Sequence, residues 1–180
     1  MNGLELIYLT EKPSQKDVEK LIEESTKVGA VLANFYFDAQ GRDRESLQNS
    51  LVDFVARIAK ERGVLYCTGE IEKAIESEGM FSSYGEVRIL AKSFADLHNV
   101  ALAYGPISVE VLKPREIKLN LDEVHSVLLD ASQSSQDFVK YITEKTMNLE
   151  DRAKYDEQLR RRAELGKALR EKRDPAKQLP

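Results

Sequence analysis

The chain has one cysteine, two histidines and no tryptophan among 180 residues, and each shortage removes a class of explanation. A single thiol, Cys67, cannot form an internal disulfide, which fits a reducing compartment. With only His98 and His125 beside it, there is no Cys/His set for a structural zinc. No stretch approaches the roughly 18 consecutive apolar residues of a membrane span. The start, MNGLELIYLTEK, lacks the basic leader and long apolar run of a signal peptide, so a cytoplasmic protein is expected. A strong excess of one charge is lacking too. The 27 basic and 31 acidic residues leave a net charge of −4, which makes the chain as a whole no electrostatic binder of nucleic acid. Abundant Glu, Lys and Arg with few Met suit a thermophile.

What is present suffices for one domain and a tail. An apolar share of 42% over this length supports a single core, and the chain is short for two typical domains. From Asn148 onward 10 Lys and Arg meet 7 Asp and Glu, leaving 17 against 24 in residues 1–147: an acidic body of −7 carries a tail of +3. LELIYLT predicts a strand. KPSQKDVEKLIEESTKVG predicts a helix capped by Ser14, with Asp17 at the capping-box distance, Val18, Leu21, Ile22 and Val28 at helical spacing, and Gly29 as its stop. AVLANFYFDA is a second strand, and GRDRESLQNSLVDFVARIAKERG a longer helix whose Leu47, Leu51, Phe54, Val55 and Ile58 form one stripe before Gly63. VLYCTGEIEKAIE and SYGEVRILAKS, around SEGMFS, read as a hairpin with a longer loop; Ile71, Ala74 and Ile75 would also suit a turn of helix. FADLHNVALAYG is a short helix carrying Phe94, Leu97, Ala101 and Tyr104, and after Gly105-Pro106 comes the strand ISVEVL.

From Ala30 to Leu112 the order is thus βαββαβ, the ferredoxin-like arrangement of an α+β fold, with an extra N-terminal βα unit whose strand would join a sheet edge. Two amphipathic helices follow. Asn120 caps the first, with Leu121, Val124, Val127 and Leu128 inward, and the second carries Phe138, Tyr141 and Ile142. Helices in this fold cover one face of the sheet, so this pair is expected to cover the other face or a partner. The expected division is a domain over 1–115, amphipathic helices over 116–147 and a charged helix over 148–180.

No catalytic set converges, and no cofactor or metal is implied. Cys67 stands between Leu65 and Gly69 with no base beside it and reads as a packed structural thiol. His98 and His125 flank apolar stripes without motif spacing. Glu70, Glu72, Glu76 and Glu78 fit a solvated strand better than a cation site, and Asp43 fits a helix N-cap better than an acid catalyst. One glycine between Asp38 and Asp43 makes no phosphate-cradling loop. Strand alternation puts Asn34, Tyr36, Tyr66, Thr68, Glu86, Arg88, Ser108 and Glu110 on polar-leaning faces and Phe35, Phe37, Val87, Ile89, Val109 and Val111 in the core. The tyrosines suit base stacking, yet the acidic neighbours and the lack of an RNP1-like run argue against RNA readout by the sheet.

The loudest local feature is QLRRRAELGKALREKRDPAK. Successive helical residues are rotated by roughly 100°, so Arg160, Arg161 and Arg162 diverge. Glu150 with Lys154, Asp156 with Arg160 and Glu157 with Arg161 are acid-first pairs worth about 0.2–0.5 kcal/mol each. Arg162, Arg170 and Arg173 remain on one side with Tyr155, Leu159, Gly166 and Leu169, a thin stripe suited to an acidic protein surface or to RNA phosphates. SYGEVRILAKSFADLHNVALAYGPISVEVLKP, residues 83–114, resembles a segment of an uncharacterised, conserved archaeal protein family with a YGP-x-SVE-[VI]-L-x-P pattern. The resemblance implies a shared fold and transfers no catalytic residue. The leading expectation is a non-enzymatic assembly module forming homo-oligomers. The alternatives are an RNA- or ribosome-associated protein using the basic helix, and a small-molecule-binding regulatory domain with a pocket at the sheet edge.

Overall fold

The computed structural model describes residues 4–7 and 14–173, with side chains over 14–168 apart from 149. It forms two compact units, residues 1–131 and 132–180. In chain order the elements are β1 Leu4–Ile7, α1 Gln15–Lys27, β2 Val31–Gly41, α2 Arg44–Ile58, β3 Val64–Ile71, β4 Ile75–Ser77, β5 Met80–Ala91, α3 Phe94–Tyr104, β6 Ser108–Lys113, α4 Leu121–Thr146 and α5 Leu149–Arg173.

Side-chain caps set the helix starts. Ser14 and Asp17 close a capping box on α1, Asp43 accepts from the Ser46 amide at 2.7 Å to begin α2, and Ser93 accepts from the Asp96 amide at 3.1 Å to begin α3. The Ser46 amide, together with the Ser46 hydroxyl, holds the Asp43 carboxyl below its ordinary range. Gly105 ends α3 in the left-handed conformation.

The strands pair antiparallel in the order β1-β3-β5-β2-β6, with β4 also on β5. Without β1 this is the ferredoxin-like order, and β1 adds a fifth member at the β3 edge through Leu4 opposite Ile71 to Ile7 opposite Thr68. Within residues 69–78 the chain is strand at 69–71 and 75–77 and nowhere helix. β3 is interrupted after Ile71, Glu72 stays tethered through its amide to the Tyr84 carbonyl at 2.9 Å, and β4 resumes the pairing. The connection to β5 is tighter than the longer loop expected. Glu78 and Gly79, with φ of 52° and 77°, form a two-residue turn whose left-handed backbone matches the twist of a hairpin.

One face of the sheet carries the main core: Val31, Ala33, Phe35 and Phe37 of β2, Cys67 and Ile71 of β3, and Val87 and Ile89 of β5, under Leu51, Val55 and Ile58 of α2 and Leu97 and Val100 of α3. On the opposite face, among the described residues, Ile22 of α1 meets Leu32, Tyr66 and Leu90 in a second, smaller cluster. Burial on both faces accounts for the nearly continuous apolar run AVLANFYF, in which Asn34 is the one polar residue. It also corrects two expectations. Tyr66, placed on a polar-leaning face, is buried under α1, and Asn34 is buried as well. Val109 and Val111, expected in the core, are 44% and 45% exposed, because β6 is an edge strand that the α2–α3 layer does not reach.

Beyond β6 the expected pair of helices is one. The stretch Ala131-Ser132-Gln133-Ser134-Ser135 continues α4 instead of breaking it, giving a helix of 26 residues. Asn120 does cap it, accepting from the Glu123 amide at 2.9 Å. Of the residues expected to point inward, Leu121 is exposed by 86% and Leu128 by 64%, while Val127 is half-buried.

Candidate interaction surfaces and cleft

Past the row covered by α1, the second sheet face is polar and built by register. Asn34 lies opposite Arg88 and Glu110, Thr68 opposite Arg88, Tyr36 opposite Glu86 and Ser108, and Glu70 opposite Glu86. Asn34 satisfies its buried amide by donating to Glu86 Oε1 at 2.7 Å and accepting from Arg88 Nε at 3.1 Å. Tyr36 donates to Glu110 at 3.1 Å and stacks on Tyr84 with ring centroids 6.0 Å apart. Desolvation first, and then Tyr36, Glu86 and Glu72, push the Tyr84 phenol up. The paired tyrosines are therefore surrounded by carboxylates, and the one arginine in the network is held by Asn34. Phosphates would meet repulsion on such a platform.

A cleft opens at the end of the α2–α3 layer. Spacing along α2 brings Leu47, Ser50, Leu51, Phe54 and Arg57 to one side, facing Phe37 and Ala39 of β2 and the Tyr104-Gly105 end of α3, around a cavity of about 300 Å³. Its walls are aromatic. Phe54 meets Phe37 edge to face at 4.8 Å and Tyr104 at 5.2 Å, and the Arg57 guanidinium carbon lies 5.9 Å from the Phe54 ring centre. The Tyr104 hydroxyl donates to Glu61 at 2.7 Å. Burial, then this bond and the Glu61 charge, push the phenol up to about 12 against the opposing influence of Arg57. Sequence reasoning named a sheet-edge pocket without residues. The signal that was available is the i, i+3, i+4, i+7 row along α2, whose polar members Ser50 and Arg57 interrupt an otherwise apolar stripe.

The remaining candidates are structural. Cys67 is buried in the core, and desolvation pushes its thiol up to about 12, so it carries no thiolate near neutrality. His98 keeps a buried Nδ1 with no hydrogen-bond partner among the described residues, while His125 is exposed. Among the described residues no group of His, Cys, Asp and Glu is arranged to hold a metal ion, and no helix is long and apolar enough to cross a membrane.

In the second unit the charged pairs form as helix geometry dictates: Lys154 with Glu150 at 2.8 Å and Arg161 with Glu157 at 2.6 Å. Arg152 also reaches across the helix junction to Glu144 at 3.0 Å. Asp156 and Arg160 form no such pair among the described residues. Leu159 is 36% exposed and Arg162 is exposed, whereas the side chains of Leu169, Arg170 and Arg173 lie outside the described residues. The stronger feature is on α4. Leu121, Val124, Leu128, Ala131, Ser135, Phe138 and Ile142 alternate steps of three and four, the spacing of a coiled-coil seam. The five large apolar members of the seam are 38–86% exposed, and Tyr141 beside them is 60% exposed. Reading two helices hid this seam, since it becomes continuous only when the small residues Ala131 and Ser135 are kept in register.

No curated protein and no solved structure matches the chain. The profile of the MJ0538 family does match it, from residue 32 to residue 162, a span taking in the sheet from β2 to β6, the cleft, the whole of α4 and the first half of α5. The chain belongs to the MJ0538 family.

Proposed function

We propose that the protein is a non-enzymatic assembly module that forms homo-oligomers through the α4 seam. The observation carrying this reading is the exposed heptad row from Leu121 to Ile142. Helices in water draw most of their stability from packing an apolar stripe, and this stripe is left uncovered. A three-four repeat is the pattern with which like helices interlock, so a second copy supplies a matching surface by symmetry. Val127, Val139 and Tyr141 flank the seam where a two-stranded coil would carry charges, which widens it. The opposite charges of body and tail, −7 and +3, favour contact between copies, with Arg162, Arg170 and Arg173 beside Leu159 and Leu169 set against an acidic protein surface. The lone thiol and charge-rich composition support a cytoplasmic home in a thermophilic archaeon.

Light scattering on the eluting full-length protein tests the proposal. A multiple of 20.4 kDa is expected, falling to the single-chain mass when Leu128→Glu and Phe138→Glu are introduced together. A single-chain mass for the unmodified protein would overturn it. Should nucleic acid then copurify, detected by absorbance ratio and lost steeply with added salt, the basic helix would be an RNA contact instead.

A further inference from the structure

We propose that the cleft between α2, β2 and the end of α3 binds a small organic monocarboxylate with an aromatic or branched apolar body. The floor and walls are Phe37, Leu51, Phe54 and Tyr104, and a space of about 300 Å³ accommodates one ring or a short branched chain. The polar lining has a single sign. Alternation along β2 turns the Asp38 carboxylate to the opposite face of the sheet, where its strand neighbour is Tyr84, so Asp38 contributes backbone. Glu61 is engaged by the Tyr104 hydroxyl and does not line the cavity. That leaves the Arg57 guanidinium and the Ser50 hydroxyl. Arg57 pairs with no carboxylate among the described residues, and the Phe54 ring beneath it holds its planar fork at the cavity. A cation without an anion, beside an aromatic hollow, selects a ligand that brings a carboxylate to the rim and buries its apolar end. The cleft is separate from the proposed assembly surface, since no lining residue belongs to the α4 seam.

The test is titration of the isotopically labelled full-length protein with phenylacetate, 3-phenylpropionate and isovalerate. Phenylacetamide and phenethylamine serve as neutral and cationic controls, and amide shifts are followed by NMR. Saturable shifts at Ala39, Leu51 and Gly105 are expected with at least one carboxylate, and the controls should bind on the order of tenfold more weakly or not at all. Arg57→Gln, an exposed change that leaves the core intact, should weaken the carboxylate to the level of its amide. Absence of saturable shifts with all three carboxylates, equal binding of phenylacetamide, or unchanged affinity in Arg57→Gln would each overturn the assignment.

Discussion

Among the described glycines, Gly63 leaves the least room for a side chain. Its φ of +86° lies in the left-handed region, and a Cβ there would come within 2.3 Å of the Asp96 side chain. Withdrawal of Asp96 would break the bond that the Ser93 hydroxyl donates to its carboxylate at 2.6 Å in the cap of α3. Gly29 offers a control, since its φ is +107° and nothing would lie within 4 Å of an added Cβ. Gly29→Ala should therefore cost only backbone strain, about 1–2 kcal/mol, whereas Gly63→Ala should lose at least that and also disturb the α3 cap. Urea unfolding checks the order of the two midpoints. Equal losses would mean that Asp96 moves aside freely.

At the scale of elements, the β4–β5 turn retains an unfavourable residue. Glu78 has φ 52°, a conformation costly for a residue with a long side chain and tolerated better by asparagine. Glu78→Asn creates the Asn-Gly pair suited to this turn and should stabilise the protein by about 0.5–1 kcal/mol, visible as a higher urea midpoint with unchanged slope. A lower midpoint would mean that the Glu78 side chain makes a compensating contact. The turn also illustrates what the sequence makes legible. Ser14, Asp43, Ser93 and Gly105 act through local chemistry, so the ends they set could be read from a few neighbouring residues. The order from β2 to β6 followed from those ends. Burial on a given strand could not be read that way, because it depends on what lies across the sheet. Tyr66 is covered by α1, which is distant from it in sequence, and Val109 is uncovered because β6 falls at the edge. The cleft was illegible for the same reason: Phe37, Arg57 and Tyr104 meet only once β2, α2 and α3 are packed.

For the molecule as a whole, the two units differ in what holds them together. The first has a two-sided sheet with buried side chains from three strands, β2, β3 and β5, and three helices. In the second, Thr143 is the one buried side chain among the described residues, and along α5 Leu159 and Leu165 are exposed and Tyr155 is half-buried. Ion pairs such as Arg161 with Glu157 are solvent-exposed and worth about 0.3–0.5 kcal/mol, too little to hold helices of this length in water. If the α4 seam is closed by a second copy, helicity in the second unit is linked to association and so to protein concentration. Thermal melting followed by circular dichroism should then show two transitions. The first, the loss of helix over residues 132–173, should move to higher temperature with each tenfold increase in concentration, and the second, the loss of the sheet domain, should stay in place. Leu128→Glu with Phe138→Glu should abolish the concentration dependence of the first and leave the second unchanged. A first transition at the same temperature across all concentrations would mean that the helices hold their order within one chain, and that the seam is not what joins copies.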